Sequence, residues 1–231
     1  MMKLAKHGWW FLLLTTVSVI AARAAEITAT IHLEQHTPGL SPANVVVWLT
    51  PIDAPTPHPV PRQNVRLIQK NKEFTPHLLV VPTGTSIEFP NLDPFFHNVF
   101  SLFNGKRFDL GLYETGARRS VTFDREGVSY IFCNIHPEMG AVVIALNSPY
   151  FGISDAKGSV TVHDVPPGRY RLQLWSEQLL PALPSVSDRI VDISSDSLDL
   201  GHLDFKPSNA IPAHHKNKFG KDYPPATTSA Y

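Results

Sequence analysis

The stretch VSYIFCNIHPEMGAVVIAL, Val128–Leu146, sets two apolar, β-branched and aromatic runs on either side of the loop CNIHPEM. Runs of that composition and length read as strands, and the Pro-containing loop between them reads as a tight connection. The loop also carries the chain's only cysteine, Cys133, three residues before His136 and six before Met139. Why a single thiol stands so close to an imidazole and a thioether is the question on which the rest of the sequence bears.

Working outward, the same strand-and-turn texture recurs. EITATIHLE alternates, with Ile27, Ala29, Ile31 and Leu33 on one face, and ANVVVWLT is a β-branched run ending near Thr50. The prolines of PIDAPTPHPVP deny the donors a sheet requires, so this segment reads as an extended linker. TSIEFPN, FHNVFSLF, SVTFD and VSYIFC follow as short strands, with REG a plausible tight connection between the last two. SVTVHDVPPGRYRLQLW alternates on both sides of a Pro-Pro-Gly turn, and RIVDI and HLDF are further strand candidates. With 21 prolines in 231 residues and no heptads or internal repeats, the composition predicts an all-β chain of sandwich or barrel type.

The N-terminus reads as an export signal. MMKLAKHG is short and basic, WWFLLLTTVSVIAA is apolar, and Ala22-Arg23-Ala24 supplies small residues for cleavage after Ala24. The apolar run is short for a bilayer, which needs roughly 20 apolar residues. A soluble, periplasmic product is therefore expected. Lys+Arg and Asp+Glu both total 20, so no excess of positive charge argues for nucleic acid or an acidic membrane surface. In an oxidising compartment cysteines pair, and an unpaired thiol is open to oxidation. Cys133 is then either inert and buried or engaged by a metal.

Cys133, His136 and Met139, with His97 as a more distant fourth, make a soft donor set: one thiolate, two imidazoles and one thioether. Such a set with a weak axial thioether suits copper in an electron-transfer site. Three extended residues span roughly 10 Å, whereas donors to one ion lie within about 4 Å of each other. The loop must therefore turn tightly, and Pro137 fits that requirement. Zinc can occupy the same donors without a redox role, and the adjacent Glu138 is an alternative axial ligand that would make the site harder.

C-x-x-H-x-x-M after an aromatic-rich strand, with H-N-V upstream, resembles the blue-copper cupredoxins. The short loop is most similar to that of amicyanin. The resemblance covers Val65 to Leu146 and implies a Greek-key β-sandwich electron carrier with one type 1 copper. It assigns His97, Cys133 and His136 as strong ligands, Met139 as the weak axial one, and Asn98 as a residue bracing the loop. QKNKEFTPHLLVVPTGTSIEFPN, CNIH and GRYRLQLW together are similar to exported bacterial proteins labelled methylamine utilisation proteins. DVPPGRYRLQLW, with EITATIHLE and ANVVVWLTP, resembles the carboxypeptidase-regulatory-like, transthyretin-type sandwich.

The residue readings and these resemblances together imply a division into a signal at 1–24 and, by resemblance, a small sandwich formed by 25–52 and 148–205. A linker at 53–64, an inserted cupredoxin at 66–147 and a disordered tail from 206 to 231 complete it. The implied partner is a redox protein such as a c-type cytochrome or a dehydrogenase. A copper carrier or sensor without electron transfer is the alternative. A two-cysteine binuclear centre is excluded by the single cysteine, and a multicopper enzyme by the absence of an H-x-H pair. No catalytic constellation is visible, so a non-enzyme is expected. His32, His58, His77, His163 and His202 read as surface residues, and His214 and His215 belong to the tail. Of the aromatics flanking His97, Phe95, Phe96 and Phe100, most are expected in the core, with one free to shield the metal.

Overall fold

The computed structural model describes residues 24–34, 38–102, 105–181, 188–194, 196–207 and 216–223. The apolar N-terminal run, His214 and His215 lie outside the described residues. Among the described residues all regular structure is strand, so the chain is all-β.

Two pairs of sheets divide the strands. In the first pair, β1 (Ala25–Leu33) lies between β14 (Ser159–Val165), antiparallel, and β18 (Leu198–Pro207), parallel, with β16 (Leu179–Pro181) beyond β18. Facing it, β2 (Val46–Pro51) lies between β13 (Phe151–Ile153) and β15 (Gly168–Trp175), with β17 (Ile190–Ile193) beyond β15. The alternation of β1 places Ile27, Ala29 and Ile31 inward, against Val47 and Leu49 of β2, Leu172 of β15 and Phe205 of β18. Full burial of each such large side chain contributes roughly 1.5–3 kcal/mol. β14 and β15 belong to different sheets, so the Pro-Pro-Gly segment is a corner that carries the chain between layers. Its alternation looks the same from sequence as that of a hairpin.

The second pair holds the loop of interest. One sheet runs β10 (Arg118–Phe123), β7 (Thr85–Pro90), β3 (Val65–Arg66). The other runs β6 (Leu78–Pro82), β12 (Gly140–Leu146), β11 (Gly127–Phe132), β8 (His97–Ser101), β9 (Phe108–Tyr113). β4 (Ile68–Lys70) and β5 (Glu73–Thr75) form a separate hairpin. The connection at REG is short, as its sequence predicts, but β10 and β11 lie in opposite sheets. Ile87, Phe89, Val99, Phe123, Ile131 and Val143 fill the core between the layers.

β12 is buried on both faces. Ala141, Val143 and Ala145 pack into the second core, while Val142, Ile144 and Leu146 meet Val46, Trp48 and Trp175 of the first sandwich. This explains why AVVIAL is continuously apolar: a strand with no solvent face has no place for a polar residue. Between the sandwiches, residues 52–64 hold no strand. β18 continues to Pro207, and hydrogen bonds run within Asn217–Lys221 and from Tyr223 to Cys133. Lys218 and Tyr223 supply partners for loop atoms that composition does not reveal.

Candidate metal centre

β11 ends at Phe132 and delivers Cys133 to the end of its sheet, while β12 begins at Gly140. Two backbone bonds close the intervening loop. The Cys133 N–H donates to the Met139 carbonyl at 3.2 Å, and the Met139 N–H to the His136 carbonyl at 3.1 Å. The turn demanded by the short spacing is thus made by the backbone itself. β8 pairs with β11 through Phe100 and Phe132, and His97 is its first residue.

The fold brings His97, Cys133 and His136 together: one donor atom from each lies within 4.8 Å of the other two. The Cys133 Sγ is 3.7 Å from His97 Nδ1 and 3.5 Å from His136 Nδ1. An ion held in a trigonal plane at about 2.3 Å from sulfur and about 2.0 Å from nitrogen needs sulfur–nitrogen separations of about 3.7 Å. The spacing and the donor chemistry both fit a soft metal ion. Met139 is 0% exposed and packs in the same core as Cys133, at the end of the same loop. Glu138 faces solvent and its carboxylate is not part of the three-donor cluster.

Burial pushes the Cys133 thiol above its usual value, and the backbone N–H groups of Asn98, Ile135 and His136 pull against that rise. Those three N–H groups favour the thiolate that a cation requires. The Asn98 side-chain amide donates to Asp109 Oδ1 on β9 at 2.7 Å. His136 is pushed down to about 4, first by burial and then by the charges of His97 and Lys72, so its ring is neutral and able to ligate near neutrality.

Sequence reading missed Asp93. This buried carboxylate accepts from His97 Nε2 at 2.7 Å, which leaves Nδ1 as the ring nitrogen facing the Cys133 sulfur. Asp93 is itself held by the backbone N–H groups of Asn71 at 2.6 Å and Lys72 at 2.9 Å. Both donors lie in the β4–β5 turn, where Asn71 and Lys72 have φ of 57° and 60°. Burial alone would push the Asp93 carboxyl up. The Lys72 N–H, the His97 ring and the Asn71 N–H outweigh it and hold the group below the usual carboxylate range. The place of Asp93 four residues before His97 is visible in the sequence, but the inward direction of its carboxylate is not.

Phe95 covers the pair of imidazoles, with ring centroids 5.3 Å from His97 and 5.7 Å from His136. Phe100 is core, as expected, whereas Phe96 is 55% exposed. His32, His58, His77, His163 and His202 are all exposed, as their sequence surroundings predict.

Fold and site together define an all-β protein with a cysteine sulfur and two imidazoles gathered at one end of a sandwich. Solved structures similar to the chain include the purple cupredoxin from Nitrosopumilus maritimus, at 28% identity over 36% of this chain and 100% of that one, with a TM-score of 0.33. The copper-containing nitrite reductase of Thermus scotoductus SA-01 is 22% identical over 50% of this chain and 28% of its own, with a TM-score of 0.34. Amicyanin from Paracoccus versutus is 21% identical over 38% and 85%, with a TM-score of 0.31. No protein-family model matches the chain, and no curated protein matches it.

Proposed function

We propose that this is an exported, non-enzymatic electron carrier that holds one type 1 copper ion through His97, Cys133 and His136, with Met139 as axial ligand. The observation that carries the reading is the convergence of Cys133 Sγ with two imidazole Nδ1 atoms at 3.5 and 3.7 Å inside a β-sandwich. Copper, when bound, supplies a one-electron couple. The protein's residues do the rest. Asp93 fixes the tautomer and direction of His97, and the N–H groups of Asn98, Ile135 and His136 face the thiolate. Phe95 keeps water from the imidazoles. Strands β8, β11 and β12 hold both ends of the loop, so the donors keep their places between oxidation states. His136 is the partly exposed member of the cluster and gives electrons their exit towards a redox protein partner, such as a c-type cytochrome or a dehydrogenase.

In this reading residues 66–147 form an inserted cupredoxin domain. Residues 25–52 and 148–205 form a transthyretin-like sandwich that acts as a spacer or docking platform. Copper-loaded protein is expected to show an intense visible thiolate-to-copper charge-transfer band and a paramagnetic signal with narrow copper hyperfine splitting. Cys133→Ser should abolish the band; a band that survives the substitution overturns the assignment.

A further inference from the structure

The segment from Lys216 to Tyr223 returns to the metal-site loop. Its own fold is a turn around Asn217, which receives N–H bonds from Phe219 and Lys221 on its side chain at 3.0 and 3.1 Å. The Gly220 N–H closes on the Asn217 carbonyl at 2.9 Å, with Gly220 at φ +73°. From this turn three groups reach the site. The Lys218 N–H donates to Asn134 Oδ1 at 2.9 Å, inside the loop. The Lys218 ammonium meets Asp109 Oδ2 at 2.7 Å, on the same carboxylate that receives the Asn98 amide. The Tyr223 hydroxyl donates to the Cys133 carbonyl at 2.6 Å. The contacts therefore fall on Cys133 itself, on its neighbour Asn134, and on the group that braces Asn98 beside His97.

We propose that Lys216–Tyr223 is a clasp that holds the Cys133–Met139 loop shut, with Tyr223 and Lys218 as positioning residues for Cys133. A part-buried carbonyl that loses its donor is left unsatisfied, and that cost favours conformations in which the loop opens to water. Opening exposes Cys133, which is 0% exposed in the closed form. The clasp thus governs both the reach of outside reagents to the thiol and the rate at which a bound ion can leave. Its consequence for copper rests on the function proposed above, but its effect on the loop does not.

The test uses the metal-free full chain and iodoacetamide as the probe of Cys133. Tyr223→Phe removes only the hydroxyl and is expected to accelerate alkylation about fivefold, the change in an opening equilibrium that one ordinary hydrogen bond supports. A chain ending before Lys216 should react faster still, and Lys221→Ala, on the same turn but away from the loop, at the rate of the unaltered protein. In copper-loaded protein, Tyr223→Phe should speed transfer of copper to a chelator by a similar factor and shift the charge-transfer band. Alkylation unchanged in both Tyr223→Phe and the shortened chain overturns the clasp. So does a Tyr223→Phe rate equal to that of denatured protein, which would make the hydroxyl a support of the whole fold. Faster alkylation in a protein that shows no charge-transfer band leaves the clasp standing and removes the copper assignment instead.

Discussion

At the scale of single residues, Asp93 decides which nitrogen of His97 meets the sulfur. Asp93→Ala frees the ring to rotate and to protonate at either nitrogen, and metal affinity should fall by about tenfold to a hundredfold, as measured by competition with a chelator. His136 carries the pH dependence in a different way. Exposed histidines protonate near 6.5, which from sequence alone predicts that acid loosens the metal as soon as pH drops below that value. Burial and neighbouring positive charge lower His136 to about 4, so this ligand remains neutral far into acid. The protonation of His136 should therefore weaken copper binding only as pH approaches 4. An imidazole resonance followed by NMR in metal-free protein checks the value directly. The grouping of His97, Cys133 and His136 was legible because a lone cysteine beside histidines in strand context leaves few chemistries. Asp93 was not, because nothing in NLDPFFH says that its carboxylate points inward to the histidine.

At the scale of elements, the β4–β5 hairpin reaches the metal site through its turn. Asn71 and Lys72 both occupy left-handed backbone, and their N–H groups grip Asp93. Asn tolerates that conformation better than a β-branched residue, which is penalised by about 1–2 kcal/mol. Asn71→Val is thus expected to lower stability by about that amount, and to weaken metal binding as well, because a distorted turn releases Asp93. Chemical denaturation and chelator competition measure the two effects separately. Most strands were readable from alternation and β-branched composition. Which strands share a sheet was less so. SVTFD and VSYIFC, or SVTVHDV and GRYRLQLW, look like hairpins because a period of two describes each strand by itself, while the corner between layers depends on packing with distant strands.

At the scale of the whole molecule, the two sandwiches meet over an apolar seam and a polar clip. The seam is Val142, Ile144 and Leu146 against Val46, Trp48 and Trp175. Ile144→Ala should cost about 2–5 kcal/mol and is expected to separate a shared thermal transition into two, as read by calorimetry. The clip is His77 Nε2 with Glu177 Oε2 at 2.6 Å, with His77 Nδ1 on the Gly140 carbonyl at 3.2 Å. The hydrogen bond to Glu177 raises His77 above its ordinary 6.5, against the opposing effect of burial. Its contribution is therefore complete below 6.5 and is lost as pH rises through the elevated value. His77→Gln should flatten that part of the stability–pH profile, leaving less difference between mildly acidic and alkaline solution.

The strand that leaves the ligand loop is also the party wall between the sandwiches. With neighbours on both sides, β12 cannot shift without moving one of them, and its first residue follows Met139 directly. Under the function proposed above, a load on the outer sandwich would therefore pass through β12 to Met139 and its loop.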